Sequence, residues 1–147
     1  MSESKYESAV QRVQAPVGDV WQVLSNLQNL ERVRHLIPQD KVQELDIESD
    51  IIRIKVDGLA QKIGIRIVDR IPLDTVKFGL ENSPIDMHVW IQMKEAAPAD
   101  TRIKLTLKGD IPMMFKLMLD KKIQKGIDDA AAMLAQFPYS QWVAQQP

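Results

Sequence analysis

The strongest constraint on this chain is the point at which the period of its apolar residues changes. From Val42 to Leu107 apolar side chains alternate with polar ones; beyond Pro112 they recur every three to four residues as far as Phe137. A period of two describes a strand with one face in the core, and a period near 3.6 a helix with one apolar stripe. Antiparallel strands that each keep one wet face need a cover over the other face, and only the final helix is long enough to supply it. The expected architecture is therefore α+β, with a curved antiparallel sheet wrapped around a C-terminal helix.

The alternation predicts six strands from Val42 onward. Ile52, Ile54 and Val56 alternate with Arg53 and Lys55, and the Asp57-Gly58 turn leads into Ile63, Ile65 and Ile67 as the second arm of a hairpin. Val76, Phe78 and Leu80 follow, then Met87, Val89, Ile91 and Met93, then Ile103, Leu105 and Leu107, with a loop over 96–100 that contains Pro98. Tyr6 to Val13 has strand composition but mixed alternation, so its inward face is ambiguous. It brings the expected sheet to seven strands.

Between these parts lie two predicted short helices. Pro16 opens the first, with Asp19 at its positive end and Val17, Val20, Trp21 and Leu24 as its stripe. Ser25 and Gln28 make a capping box for the second, which buries Leu27, Leu30, Val33 and Ile37 and ends at Pro38.

The long helix spans about 39 Å from Pro112 to Phe137, against about 30 Å for a nine-residue strand, and so is expected to cross the sheet diagonally. At 100° per residue, Leu119, Ile123, Gly126, Ile127, Ala130, Ala131, Leu134 and Phe137 share one arc, taken as the face toward the sheet. Lys121, Lys122, Gln124, Lys125, Asp128 and Asp129 occupy the other side as a solvated face. Gly126 in the middle of the arc implies either close packing or space for a ligand. The stretch Met113 to Leu119 is apolar nearly all round: Met114, Leu117 and Met118 need contact with the short helices, or else form an exposed rim or a dimer surface. Lys116 falls on the buried arc, as an anchor for an acidic group or as a side chain snorkelling to water.

Composition bounds the function. At 147 residues, 45% hydrophobic and 27% charged, the chain suits one domain, residues 1–147, with a tail over about 138–147. Nineteen basic residues against twenty acidic give a net charge of -1, so no global field draws it to nucleic acid. There is no cysteine, and no apolar run long enough for a membrane span; the expected location is cytoplasmic. The two histidines, His35 and His88, have no metal-ligand spacing, so neither metal nor cofactor is expected. Phosphate-binding and nucleophile-elbow motifs are missing, and the inward strand positions carry no ionisable group for acid-base work. The polar candidates are His35 with Arg32 and Arg34, and Tyr6 if it points inward. Trp90 and His88 face outward in this register, with Trp90 covered by a dimer contact or by the tail around Tyr139 and Trp142.

The segment Val13-Gln14-Ala15-Pro16, followed by Val20-Trp21 and Leu24-Ser25, together with the strand, two helices, six strands and helix across the whole chain, resembles the START-like or Bet v 1-like helix-grip superfamily, also called SRPBCC. That resemblance implies a hydrophobic ligand such as a lipid, sterol or polyketide held between sheet and helix. Some members are instead cyclases, toxins or chaperone activators, so the fold does not select the activity. The expected lining is Ile54, Ile65, Phe78, Val89, Ile91 and Leu105 from the sheet, with Met113, Lys116, Ile123, Gly126, Ile127 and Ala130 from the helix. No catalytic residue is assigned, and the reading favours binding of a small hydrophobic molecule over turnover. The alternatives are a polyketide cyclase-like or dehydratase-like enzyme, and a protein-interaction module.

Overall fold

The computed structural model describes residues 3–29, 31, 45–55 and 60–145. Within them the strands are β1 (Ser4–Glu7), β2 (Gln11–Val13), β3 (Leu45–Ile47), β4 (Ile51–Ile54), β5 (Ile63–Ile71), β6 (Thr75–Glu81), β7 (Met87–Ala97) and β8 (Asp100–Gly109). The helices are α1 (Val17–Leu24), α2 (Met113–Gln136) and α3 (Tyr139–Ala144). The strands form one antiparallel sheet in the order β1-β8-β7-β6-β5-β4-β3, with β2 also paired to β8. No helix among the described residues is long and apolar enough to cross a membrane.

Eight strands replace the expected seven because the first one is broken. Tyr6 pairs with Leu107 and Gln11 with Ile103, so three residues, 8–10, lie opposite only Lys104 and Leu105. Ser8 holds the break together: its N–H donates to the Leu105 carbonyl at 2.9 Å and its Oγ accepts from the Leu105 N–H at 2.9 Å. An extra residue reverses which parity faces inward. Ser4, Tyr6 and Ser8 are buried before the break, Val13 and Ala15 after it, which is why the sequence alternation looks mixed. A second shift, between Ile67 and Asp69, sets Val68 out of step and turns Arg70 toward the end of α1, where its Nε donates to the Ser25 carbonyl at 2.9 Å.

The expected loop over 96–100 is much tighter. Strand pairing runs on to Ala97 opposite Asp100, leaving a Pro98-Ala99 turn in which Ala99 takes φ 56. In α1 the Pro16 carbonyl accepts from the N–H groups of Asp19 and Val20, and Val20 and Val23 are buried. Ser25 closes this helix rather than capping the next. The cap belongs to Asn26, whose Oδ1 accepts from the Gln28 N–H at 3.0 Å at the start of a 3₁₀ segment that includes 27–29 and 31, with Leu27 buried. Leu30, Arg32, Val33, Arg34, His35, Ile37, Pro38, Val42, Val56 and the Asp57-Gly58 turn lie outside the described residues.

Helix α2 packs on β1, β2 and β8, and its last turn reaches Phe78 of β6 and Ile91 of β7. It is also rotated by about 60° from the expected arc, at 100° per residue. Ile127 and Ala131 are its buried residues; Gln124 and Asp128, expected in solvent, face the first strands, while Gly126 is exposed and a side chain there would meet nothing within 4 Å. Residues 138–145 pack against the rest of the domain. Phe137 is extended ahead of Pro138, which ends α2, and α3 then folds back on α1 with Tyr139 and Trp142 in the core.

Candidate functional site

Two recesses lie at opposite ends of α2, one apolar and one polar. The apolar one forms where Phe78 of β6 and Ile91 of β7 meet Val23 and Leu24 of α1, Leu27, and the end of α2 at Leu134 and Phe137. Its volume is about 170 Å³. Phe78 and Ile91 share the inner face because Phe78 pairs with Val89, and Ile91 with Val76, in adjacent antiparallel ladders. Phe137 is held by ring contacts to Tyr139 at 5.0 Å and Trp142 at 5.3 Å, so the wall that it forms depends on α3.

The polar groups at this recess are Asn26, Asn29 and Tyr139. The Tyr139 hydroxyl donates to the Leu134 carbonyl at 2.6 Å, and burial pushes its phenol pKa well up, so the group is neutral. Asn29 Nδ2 donates to the Val23 carbonyl at 3.0 Å, while its Oδ1 accepts from Trp142 Nε1 at 3.5 Å. These contacts tie α1, the 3₁₀ turn and α3 into one wall.

Of the twelve residues expected to line a cavity, only Phe78 and Ile91 border this recess. Leu105 and Ile127 are buried in the core; Ile54, Ile65, Val89 and Ala130 are half-buried beside it, and Ile123 is half-buried. Lys116 lies in the polar recess, Met113 is exposed, and Gly126 points away from the sheet. Val23, Leu27 and Tyr139 were missing from the expected lining. A signal for Tyr139 was present: three aromatic residues, Phe137, Tyr139 and Trp142, gather just after the helix end, which a solvated tail does not need.

The polar recess, about 420 Å³, lies between β1 and the first half of α2, bordered by Tyr6, Lys116, Asp120 and Gln124. Tyr6 does point inward, toward the helix, and its hydroxyl donates to Asp120 Oδ1. Burial and the adjacent Asp120 carboxylate raise the Tyr6 pKa, so the phenol keeps its proton and serves as donor. One turn on, Gln124 Nε2 donates to the Glu7 carbonyl at 2.8 Å and to Asp128 Oδ2 at 3.0 Å; the Ala9 N–H donates to Asp128 Oδ1 at 3.0 Å. The bonds from Gln124 and Ala9 hold the Asp128 carboxyl below its usual pKa range. Tyr6, Asp120, Gln124 and Asp128 bond to one another or to the backbone of the first strands, so this row clasps α2 to the broken first strand. From Asp120 to Leu134 the helix rises about 21 Å, which separates the clasp from the apolar recess.

A third recess, about 550 Å³ and open to solvent, lies between β2 and the α2–α3 connection; its Arg12 is paired with Asp100 at 3.4 Å. No group of three metal-ligating side chains occurs among the described residues. On the convex face Trp90 is half-buried and is covered by lysines rather than by the C-terminal segment. Lys77 Nζ lies 5.1 Å and Lys108 Nζ 5.5 Å from its ring centroid, with the His88 ring 6.0 Å away.

An antiparallel sheet closed on one side by a long C-terminal helix, with short helices at its end, is the helix-grip fold of Bet v 1-like and polyketide cyclase-like proteins. Among solved structures the chain is similar to norcoclaurine synthase from Thalictrum flavum, a point mutant in complex with a transition state analogue, at 16% identity and a TM-score of 0.70 over 100% of this chain and 99% of that one. It is similar to a protein from Thermobifida fusca at 14% identity and a TM-score of 0.65, over 94% of each chain. It also resembles the di-domain aromatase/cyclase BexL of the BE-7585A biosynthetic pathway at 15% identity and a TM-score of 0.66, over 99% of this chain and 48% of that one. No family model matches the sequence, and no curated protein does.

Proposed function

We propose that this protein binds a small aromatic or apolar molecule in the recess beneath α1, between the inner face of the sheet and the end of α2. The observation that carries this reading is the recess itself, about 170 Å³ walled by Phe78, Ile91, Leu134 and Phe137. Apolar cavities near 150 Å³ hold a molecule the size of benzene, whereas typical ligand sites begin at about 300 Å³, so the described space fits one ring or a short chain rather than a sterol. Solved neighbours of this fold support a small-molecule role, norcoclaurine synthase having been captured with dopamine and hydroxybenzaldehyde.

Binding is favoured over turnover because the only ionisable group bordering the recess among the described residues is Tyr139. Its phenol is neutral and already donates to the Leu134 carbonyl, so it supplies no base near neutral pH. Burying the carbon of a ligand contributes about 25 cal/mol per Å² and needs no particular side-chain chemistry, so selection is by size and shape. Indole is a suitable probe, followed by methyl NMR. Saturable shifts confined to Val23, Leu24, Leu27, Ile91 and Leu134 are expected, and Leu134→Phe, which fills the space, should abolish them. Shifts that instead track the Met114 and Met118 methyls, or that persist in Leu134→Phe, would sink the proposal.

A further inference from the structure

We infer that the first two turns of α2 are a docking element for an anionic lipid surface. Five large apolar side chains project from six successive positions there: Met113 is 75% exposed, Met114 80%, Phe115 49%, Leu117 86% and Met118 72%. Single exposed apolar residues are ordinary, but a contiguous tip of this kind on a soluble domain marks a surface that is covered in use. Just before it Ile111 is buried, so the tip is presented by an anchored helix.

Charge identifies the cover. Lys116 lies within the apolar tip, and Lys121 and Lys122 follow in the next turn; none of the three has an ion-pair partner among the described residues. Lys125, by contrast, is neutralised by Asp129 at 2.7 Å. The sole acid between Met113 and Lys125 is Asp120, which is occupied by the Tyr6 hydroxyl, and the first turn has no acidic side chain. An apolar tip backed by uncompensated lysines is the pattern of helices that seat in the headgroup layer of anionic bilayers. The chain as a whole carries a net charge of -1, so this attraction is local to the helix end.

A second copy of the chain fits this face poorly. A two-fold contact through the helix end would bring the lysine turn of one protomer against that of its partner, and between Met113 and Lys125 the one acid, Asp120, is already bonded to Tyr6. The inference does not rest on the ligand reading, because the tip lies about 24 Å or more along α2 from Leu134.

The test is co-sedimentation of the full chain with vesicles of phosphatidylcholine alone and of phosphatidylcholine with about one-third phosphatidylglycerol. The wild-type chain is expected to pellet with the anionic vesicles, more weakly with the neutral ones, and less as salt rises. Lys121→Glu with Lys122→Glu should weaken anionic binding by at least about 25-fold, at about fivefold per lysine. Leu117→Glu with Met118→Glu should remove binding to both vesicles while leaving the circular dichroism spectrum and indole uptake unchanged. Equal binding to neutral and anionic vesicles, or full binding by either double variant, overturns the inference. So does the absence of wild-type binding, or a wild-type dimer that Leu117→Glu with Met118→Glu dissociates.

Discussion

Tyr139 shows how one side chain can tie a chain end to a fold. It is 1% exposed, its ring leans on Phe137, and its hydroxyl satisfies the Leu134 carbonyl left open at the end of α2. Burial raises its pKa, so the folded state holds the phenolic proton more tightly than the unfolded chain does. The sign follows from linkage: stability from this group is complete below an ordinary tyrosine value of about 10 and is lost as pH rises beyond it. Denaturation of the wild-type chain at increasing pH should therefore show a fall in stability above about pH 10 that Tyr139→Phe reduces. A fall of the same size in the variant would place the titrating group elsewhere, with Tyr6 the next to examine, since its pKa is raised as well. In the sequence Tyr139 is simply an aromatic residue past a helix end; its hydrogen bond and its burial exist only once α3 has folded back.

At the scale of elements, α2 is where local pattern and tertiary packing part company. The pattern places Gly126 at the centre of the buried face, but the helix is turned so that Gln124 and Asp128 can bond the backbone exposed by the break between β1 and β2. Buried or half-buried peptide groups left without partners are costly, and the clasp satisfies them at the expense of a wider apolar contact. Gly126 is consequently an exposed residue in a helix interior with open space around its Cα. Gly126→Ala should raise stability by about 1 kcal/mol, and hence the melting temperature by about 2–4 °C, as measured by thermal denaturation. A destabilised variant would mean that the sheet lies closer to this face than described. The strands behave differently from the helix. Ile63, Ile65 and Ile67, like Met87, Val89, Ile91 and Met93, keep their expected faces where the ladder is regular; among the described residues the register shifts at Ser8–Val10, at Val68 and at Ala96.

At the scale of the molecule, the C-terminal segment closes the fold. Trp142 is 9% exposed, meets the Phe137 ring at a tilt with 5.3 Å between centroids and reaches Asn29, so it joins α3 to the turn that follows α1. Trp142→Ala should cost about 3–5 kcal/mol in urea denaturation, the range for truncating a buried aromatic, whereas a solvated tail would show almost no change. The same variant should enlarge or open the recess at Phe137, so indole uptake should change along with stability. The run of six strands followed by the long helix, and the inward faces of the regular strands, were legible in the sequence, because each depends on neighbours a few residues apart; the lack of cysteine and the near-neutral charge are read from composition alone. The split of the first strand, the rotation of α2, the folding back of α3 and the position of the apolar recess required the tertiary structure. Each of these is decided by which distant backbone groups and side chains must be satisfied together, and a local period carries no record of them.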